Sequence, residues 1–401
     1  MMLSIKPDGT PAAIAVKHIR AGDIESEVQS RDVRSAFQSE VQNLGKIALM
    51  EHEHIIETLL AISIGVDHYI LFRWADGGSI RDLWRGCQDA ETDAETFREL
   101  VRASIDQITG LADALVELHK RNLRHGDLKP DNILRFLDNE NGGHSGVGTW
   151  KVADFGLAKQ HKSITNRRPM VTTTTDATQH YESPDAQDAL QGKGTFSRLA
   201  DIWSIGCVVF EHVVWLLYGF KEVEKLNIEL RGRQEQSRFF RRRGGSVEVH
   251  PTATMWMDQI CGLSECRVGK TPLGDLLRTV QTQLVVVDMP GKGWEEDRTL
   301  IYEGKRVPAR VFLDSMTKIR NEVRNSSSYC FAGNPVFPRR AIGSRTSPTL
   351  RETSPNQLLT PAAAEDIPRS ALPWQEGSAA PRNLAPVFDR NRKVMVNSLP
   401  A

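Results

Sequence analysis

The chain has 401 residues, 40% of them apolar, which is enough to build a sizeable core and exceeds the usual length of one domain. Its 51 basic and 51 acidic residues cancel, which excludes a global attraction to nucleic acid or to an acidic membrane. Five cysteines without a paired CxxC spacing are typical of free thiols in a reducing compartment, so we expect an intracellular protein, cytoplasmic or nuclear.

The N-terminal residues predict a β-hairpin followed by a helix. Apolar and polar residues alternate over 2–6, a Pro-Asp-Gly turn follows, and residues 13–19 form an apolar run. Apolar side chains then recur at helical spacing over 33–48, and Glu40 shares their face. An unpaired carboxylate on a core-facing stripe is unfavourable. Glu40 is therefore predicted to pair with a buried cation, and Lys17 on the preceding strand is the natural partner.

Strands and helices continue downstream. Residues 55–60 and 69–74 are strand-like runs, and a helix is predicted to begin near Ile80. The apolar run 207–220 contains a Glu and a His and is shorter than a bilayer requires, so it predicts a buried core helix and no membrane span. A longer helix precedes that run, and its core-facing residues are Leu100, Ile105, Ile108, Leu111, Leu115 and Leu118.

The stretch 125–134, His-Gly-Asp-Leu-Lys-Pro-Asp-Asn-Ile-Leu, places an acid, a base and an amide at fixed offsets on one tight loop. Asp127 can accept the proton of an attacking hydroxyl, Lys129 can neutralise a transferring phosphoryl group, and Asn132 can hold a metal ion. A second carboxylate, Asp154, opens the triplet Asp-Phe-Gly. These residue types at this spacing indicate phosphoryl transfer on a metal-bound nucleotide.

At these two motifs the sequence resembles the eukaryotic protein kinase superfamily, with the Ser/Thr form of the catalytic loop. The resemblance implies an α+β, two-lobed protein-kinase-like fold over residues 1–325. A small β-rich N-lobe would cover about 1–75, and a larger, mostly helical C-lobe would cover about 76–325. The resemblance also implies ATP and Mg²⁺ as cofactors and a protein Ser/Thr acceptor. We expect a monomer without a specific nucleic-acid partner.

The resemblance implies a role for each matching residue around the nucleotide. Lys17 would contact the α- and β-phosphates, and Glu40 would hold it in place. Asn132 and Asp154 would bind the metal ions. The adenine pocket would be formed by residues of the N-lobe, the hinge between the lobes and the strand beneath the base, namely Ala15, Phe72, Arg73, Ala75 and Leu134.

More distant features match the same family. Asp201 would cap the backbone of the catalytic loop, and Asp185, in Ser-Pro-Asp where most members have Ala-Pro-Glu, would form a buried ion pair with Arg306. The basic stretch 231–243 is expected to be a solvated insertion rather than a docking or nucleic-acid patch. The Pro-, Ser- and Thr-rich residues 326–401 predict a disordered tail.

Two departures from the family keep three functions open. Gly126 stands where many members have an arginine that binds the activation-loop phosphate. No GxGxxG loop precedes Lys17, so either the given chain begins late or nucleotide binding is weak. We expect an active protein Ser/Thr kinase and keep two alternatives: a pseudokinase or kinase-like scaffold, and a small-molecule phosphotransferase. Lys129 and the helix that carries Asp201 argue against the last of these.

Overall fold

The structure, a computed structural model, describes the chain in segments. All of them belong to the unit formed by Met1–Arg345 and Lys393–Ala401. The described residues are 13–19, 45, 47, 50–64, 67–86, 93–137, 147–155, 159–160, 179–194, 196–232, 238–290, 302–326, 328–329 and 394–395.

An antiparallel sheet forms the N-terminal part. Its strands are β1 (Ile14–Ile19), β2 (Thr58–Ile64) and β3 (Asp67–Arg73), with β3 in the middle, and Val394–Met395 adds a short strand on the free edge of β1. All three strands are rich in Ile, Val and Leu, which favour a pleated, half-buried surface. The sheet is the β-rich N-lobe that the sequence predicts.

One strand differs from its predicted bounds. The run 55–60 was predicted as a strand, but β2 begins only at Thr58 and continues to Ile64. The reason is that the backbone before Thr58 forms hydrogen bonds with strand residues near the site instead of with β3. Ile56 N donates to Val152 O at 2.9 Å, and Ile55 forms an isolated β-bridge with Val152. Residues 54–56 therefore join the sheet to the strand that leads into the predicted site.

The C-terminal part is mostly helical. The start of the longest helix shows why the sequence folds this way, because the Asp93 side chain accepts hydrogen bonds from the backbone N–H groups of Glu95 and Thr96. The helices are α1 (Ile80–Gly86), α2 (Ala94–Lys120), α3 (Pro184–Leu190), α4 (Leu199–Tyr218), α5 (Phe220–Arg231), α6 (Pro251–Cys261), α7 (Pro272–Thr279) and α8 (Ala309–Asn325).

Helix α4 is the centre of this core. Only Ser204 and Tyr218 among its residues are not buried. It is long and apolar enough to cross a membrane, the one such helix within the described segments, but 94% of the relevant window is buried inside the protein. Gly206 permits close packing, because a Cβ there would lie 2.7 Å from Leu284 Cβ. The prediction of a buried core helix is confirmed.

Short antiparallel pairs frame the predicted site. Strand β4 (Leu123–Arg124) pairs with β7 (Lys159–Gln160), and β5 (Ile133–Phe136) pairs with β6 (Thr149–Val152). Strands β4 and β5 lie on either side of the catalytic loop, and β6 leads into Asp154. This arrangement brings together the two motifs that the sequence singles out.

The prediction of a solvated insertion over the basic stretch 231–243 holds only in part: Arg231, Arg242 and Arg243 are exposed, and residues 233–237 lie outside the described residues. Strands β8 (Phe240–Arg243) and β9 (Ser246–Val249) form a hairpin there, and Phe239 and Phe240 at its base are buried in the core. The side chain of Arg238 is only 14% exposed. The aromatic pair anchors the basic residues against the fold, which a count of charges does not reveal.

Several predictions fall outside the described residues. They concern the strand at 2–6, the helix at 33–48 except for residues 45 and 47, and the activation segment at 161–178. The predicted tail also lies outside them from residue 330 onwards, apart from Val394–Met395, so its disorder stays a prediction.

Candidate active site

The backbone of the catalytic loop is held by Asp201 at the start of α4. The Asp201 carboxylate accepts from His125 N and Gly126 N, both at 2.9 Å, and its Oδ2 lies 2.9 Å from His119 Nε2. Burial alone would disfavour this charge, but the donors of His119, His125 and Gly126 together hold the pKa of Asp201 below its usual range. The predicted cap is confirmed, and His119 proves to be part of it.

Side chains of the loop converge on Asp127. Lys129 Nζ donates to Asp127 Oδ2 at 2.9 Å, and Asn132 Nδ2 donates to the same oxygen at 3.0 Å and to Asp127 O at 2.8 Å. Burial raises the pKa of Asp127, although Lys129 opposes the rise. A carboxylate with a raised pKa accepts a proton more readily, which suits a general base.

Hydrogen bonds also connect the catalytic loop to the Asp-Phe-Gly motif. Ala153 N donates to Asn132 O at 2.9 Å, His125 Nε2 lies 2.9 Å from Ala153 O, and the His125 ring packs on Phe155 at 4.8 Å. Asp154 follows with φ of +66°, a left-handed conformation that is uncommon outside glycine and is often found at functional sites. The two motifs therefore form one site.

Lys17 reaches this site from the sheet. Its Nζ lies 2.8 Å from Asp154 Oδ1, across 137 residues of sequence, with 28% of the Lys17 side chain and 41% of the Asp154 side chain exposed. Reasoning from the sequence did not foresee this contact. Glu40 lies outside the described residues, so its predicted pairing with Lys17 stays a prediction.

The residues predicted to surround adenine belong to the sheet, to the hinge after β3 and to β5. The sheet register places Ala15 opposite Phe72, and both are buried, as is Leu134. Arg73 is exposed, with its guanidinium over the Phe136 ring, and Ala75 packs partly buried against the core. This arrangement provides an apolar wall beside a stretch of hinge backbone, as a purine ring requires.

The oxygen donors at the site suit Mg²⁺. Within the described segments no group of three or more His, Cys, Asp or Glu residues could hold a metal ion by itself. Mg²⁺ does not need such a group, because it commonly binds one or two carboxylates together with phosphate oxygens and water. Among the described residues, both side-chain hydrogen bonds of Asn132 use Nδ2, so its Oδ1 can serve as a metal ligand. Asn132 and Asp154 therefore fit a metal ion shared with a nucleotide.

A buried polar network that sequence reasoning missed joins the catalytic loop to residues 179–183. Arg81 donates to Asp131 Oδ2 at 2.9 Å and to the Tyr181 hydroxyl at 2.7 Å. Tyr181 in turn donates to Glu211 at 2.6 Å, and His180 lies 3.1 Å from the same carboxylate. A sequence cue existed, because Glu211 lies within an apolar helix, where a charge needs partners.

The same segment is also fixed by the predicted ion pair. Arg306 Nη1 lies 2.7 Å from Asp185 Oδ1, and the Arg306 side chain is fully buried. The prediction of this pair is confirmed.

The profile of the protein kinase domain matches residues 3–260, well over half of the chain. The chain belongs to the protein kinase family. Its two-lobed fold, with a small strand-rich N-lobe and a larger helical C-lobe, agrees with the expectation from the sequence.

Curated relatives of this kinase domain are named as Ser/Thr kinases or kinase kinase kinases. A probable serine/threonine-protein kinase, fhkD of Dictyostelium discoideum, is 30% identical over 50% of this chain and 25% of the relative. The human mitogen-activated protein kinase kinase kinase 6 is 29% identical over 49% of this chain and 14% of the relative. The serine/threonine-protein kinase nekl-2 of Caenorhabditis elegans is 28% identical over 51% of each chain. The chain thus matches about half or less of the length of these relatives.

Proposed function

We propose that this kinase domain transfers the γ-phosphoryl group of ATP to Ser or Thr hydroxyls of protein substrates. The observation that carries the proposal is the cluster around Asp127, where Lys129 and Asn132 share one carboxylate oxygen. The Lys129 position is that of the Ser/Thr form of the catalytic loop. The curated relatives support the same acceptor class.

Asp127 would orient the acceptor hydroxyl and take its proton as the oxygen attacks. Lys129, 2.9 Å from Asp127, would place a positive charge where negative charge develops. When bound, Mg²⁺-ATP supplies the transferable phosphoryl group, with Asn132 and Asp154 holding the metal. Lys17 places a second cation beside Asp154, where phosphate groups would lie.

The deciding experiment is Asp127→Asn. Asparagine keeps the shape of the side chain but cannot accept the proton, so we expect turnover to fall by a factor of about 10²–10⁴. Nucleotide affinity and melting temperature should stay close to those of the wild type, because Asp127 is not assigned to nucleotide binding. Full activity in this variant would show that Asp127 does not act as the base.

The acceptor class needs its own test. Residues 179–185 are fixed by Glu211 and Arg306, as a surface that binds a polypeptide acceptor requires. We expect labelled ATP to modify a generic protein acceptor such as myelin basic protein or casein, but not aminoglycosides. Transfer to the small molecules alone would identify a small-molecule phosphotransferase. Absence of both transfer and nucleotide binding would identify a pseudokinase.

A further inference from the structure

The basic hairpin β8–β9 packs directly against the segment 179–188. Its base is anchored by two buried aromatic rings: Phe239 lies 4.8 Å from His180, and Phe240 lies 6.1 Å from Trp203. At the other end the two strands are joined by Gly244 and Gly245, both with positive φ, which a tight two-residue turn favours. The hairpin is therefore a fixed element.

Two arginines, Arg238 just before the hairpin and Arg242 within it, contact the segment on both sides of Ser183. Arg238 donates to Glu182 Oε2 at 2.8 Å and to Gln179 Oε1 at 2.9 Å. Arg242 donates to Pro184 O at 3.0 Å, and also to Gln187 at 3.1 Å and Asp188 at 2.7 Å. The guanidinium carbons of both arginines lie 5.6 Å from the centroid of the Phe240 ring, so both side chains pack against this one aromatic residue.

The Arg238 contact is the more enclosed of the two. The side chains of Arg238 and Glu182 are 14% and 17% exposed, whereas those of Arg242 and Asp188 are 39% and 35% exposed. Burial raises the pKa of Glu182, and the hydrogen bond and charge of Arg238 oppose the rise. A half-buried pair of this kind restrains the backbone more than an exposed pair does.

We propose that the hairpin and Arg238 clamp residues 179–188, which we call the acceptor-binding segment. Arg238 is then a positioning residue for the protein acceptor. This inference rests on the proposed function. The segment is fixed from the interior by Tyr181 and Asp185, and the hairpin fixes its outer side. All the contacts of the clamp described above are made by side chains and backbone of this chain.

The test compares Arg238→Ala with Arg241→Ala. Arg241 is on the same hairpin and contacts Glu248 within it at 2.6 Å, so it serves as the matched control. In Arg238→Ala we expect the KM for the protein acceptor to rise at least about tenfold. The reason is that the substitution removes hydrogen bonds of a charged group that hold the acceptor-binding segment in place. The KM for ATP and kcat should change little. Arg238→Lys keeps the charge but cannot reach two partners, so its acceptor KM should be intermediate.

Amide hydrogen exchange provides a second readout that does not require activity. We expect exchange over residues 179–190 to be faster in Arg238→Ala than in Arg241→Ala, with the rest of the domain unchanged. Equal exchange in the two variants would overturn the clamp, as would a loss of protection spread over the whole domain. If the wild type phosphorylates no protein acceptor, the proposed function fails, and the exchange measurement still decides whether the clamp exists.

Discussion

Replacing Arg306 by alanine should lower the free energy of unfolding by about 3–5 kcal/mol, because it strands a partly buried carboxylate. The Arg306 side chain is fully buried and donates from Nη1 to Asp185 Oδ1 at 2.7 Å and to Leu199 O at 3.1 Å. Its Nε donates to Val286 O at 2.9 Å, and its guanidinium lies 5.0 Å from the Trp203 ring. The substitution would remove all of these contacts at once.

The magnitude follows from those contacts. The figure of about 3–5 kcal/mol is that for removing one partner of a buried ion pair. The two backbone carbonyl groups that also lose their donor place the loss towards the upper end of that range. In a domain of this size about 1 kcal/mol corresponds to roughly 1.5 °C, so the melting temperature should fall by roughly 4–8 °C. Arg310→Ala is the matched control, since Arg310 is on the same chain segment with 67% of its side chain exposed. It should change stability by less than about 0.5 kcal/mol.

The assay is denaturant or thermal unfolding of both variants followed by circular dichroism. A melting curve of Arg306→Ala that matches the control would refute the reasoning. A substitution that should strengthen the ion pair gives a second check, because Asp185 Oδ2 and Arg306 Nη2 are buried without a hydrogen-bond partner. Asp185→Glu adds one methylene group, which lets both oxygens reach the guanidinium, and should stabilise the domain by about 1 kcal/mol. The exposed Asp314→Glu should not.

Two further predictions concern packing and pH. A Cβ at Gly110 would overlap the His54 ring, so Gly110→Ala should destabilise the domain by about 1–3 kcal/mol. Gly86 has open space around it, so Gly86→Ala is the control and should not destabilise the domain. Equal melting temperatures of the two variants would contradict this prediction. Because burial raises the pKa of Asp127, kcat/KM should fall with decreasing pH along a limb centred above the ordinary Asp value of about 3.9. A profile that stays flat below this value would show that Asp127 is not the titrating base.

The sequence by itself was sufficient to predict those features that depend on residues close to one another in the chain. Asp127, Lys129 and Asn132 meet within six residues of one loop. The apolar run within α4 predicts a buried helix, because so many apolar side chains are unfavourable in contact with water. The ion pair of Asp185 and Arg306 was also foreseen, but through resemblance to a family rather than through spacing.

Only the tertiary structure decided which distant side chains meet. An apolar period shows that a residue is buried, but its partner depends on strand register and on how the whole chain packs. The contact of Lys17 with Asp154 spans 137 residues, and it requires strand β1 to lie close to the end of β6. Arg238 and Arg242 belong to a basic stretch that was predicted to be solvated, and Arg242 is indeed exposed. A row of charges does not show that Phe240 will be buried beside them, or that both arginines will contact residues 179–188.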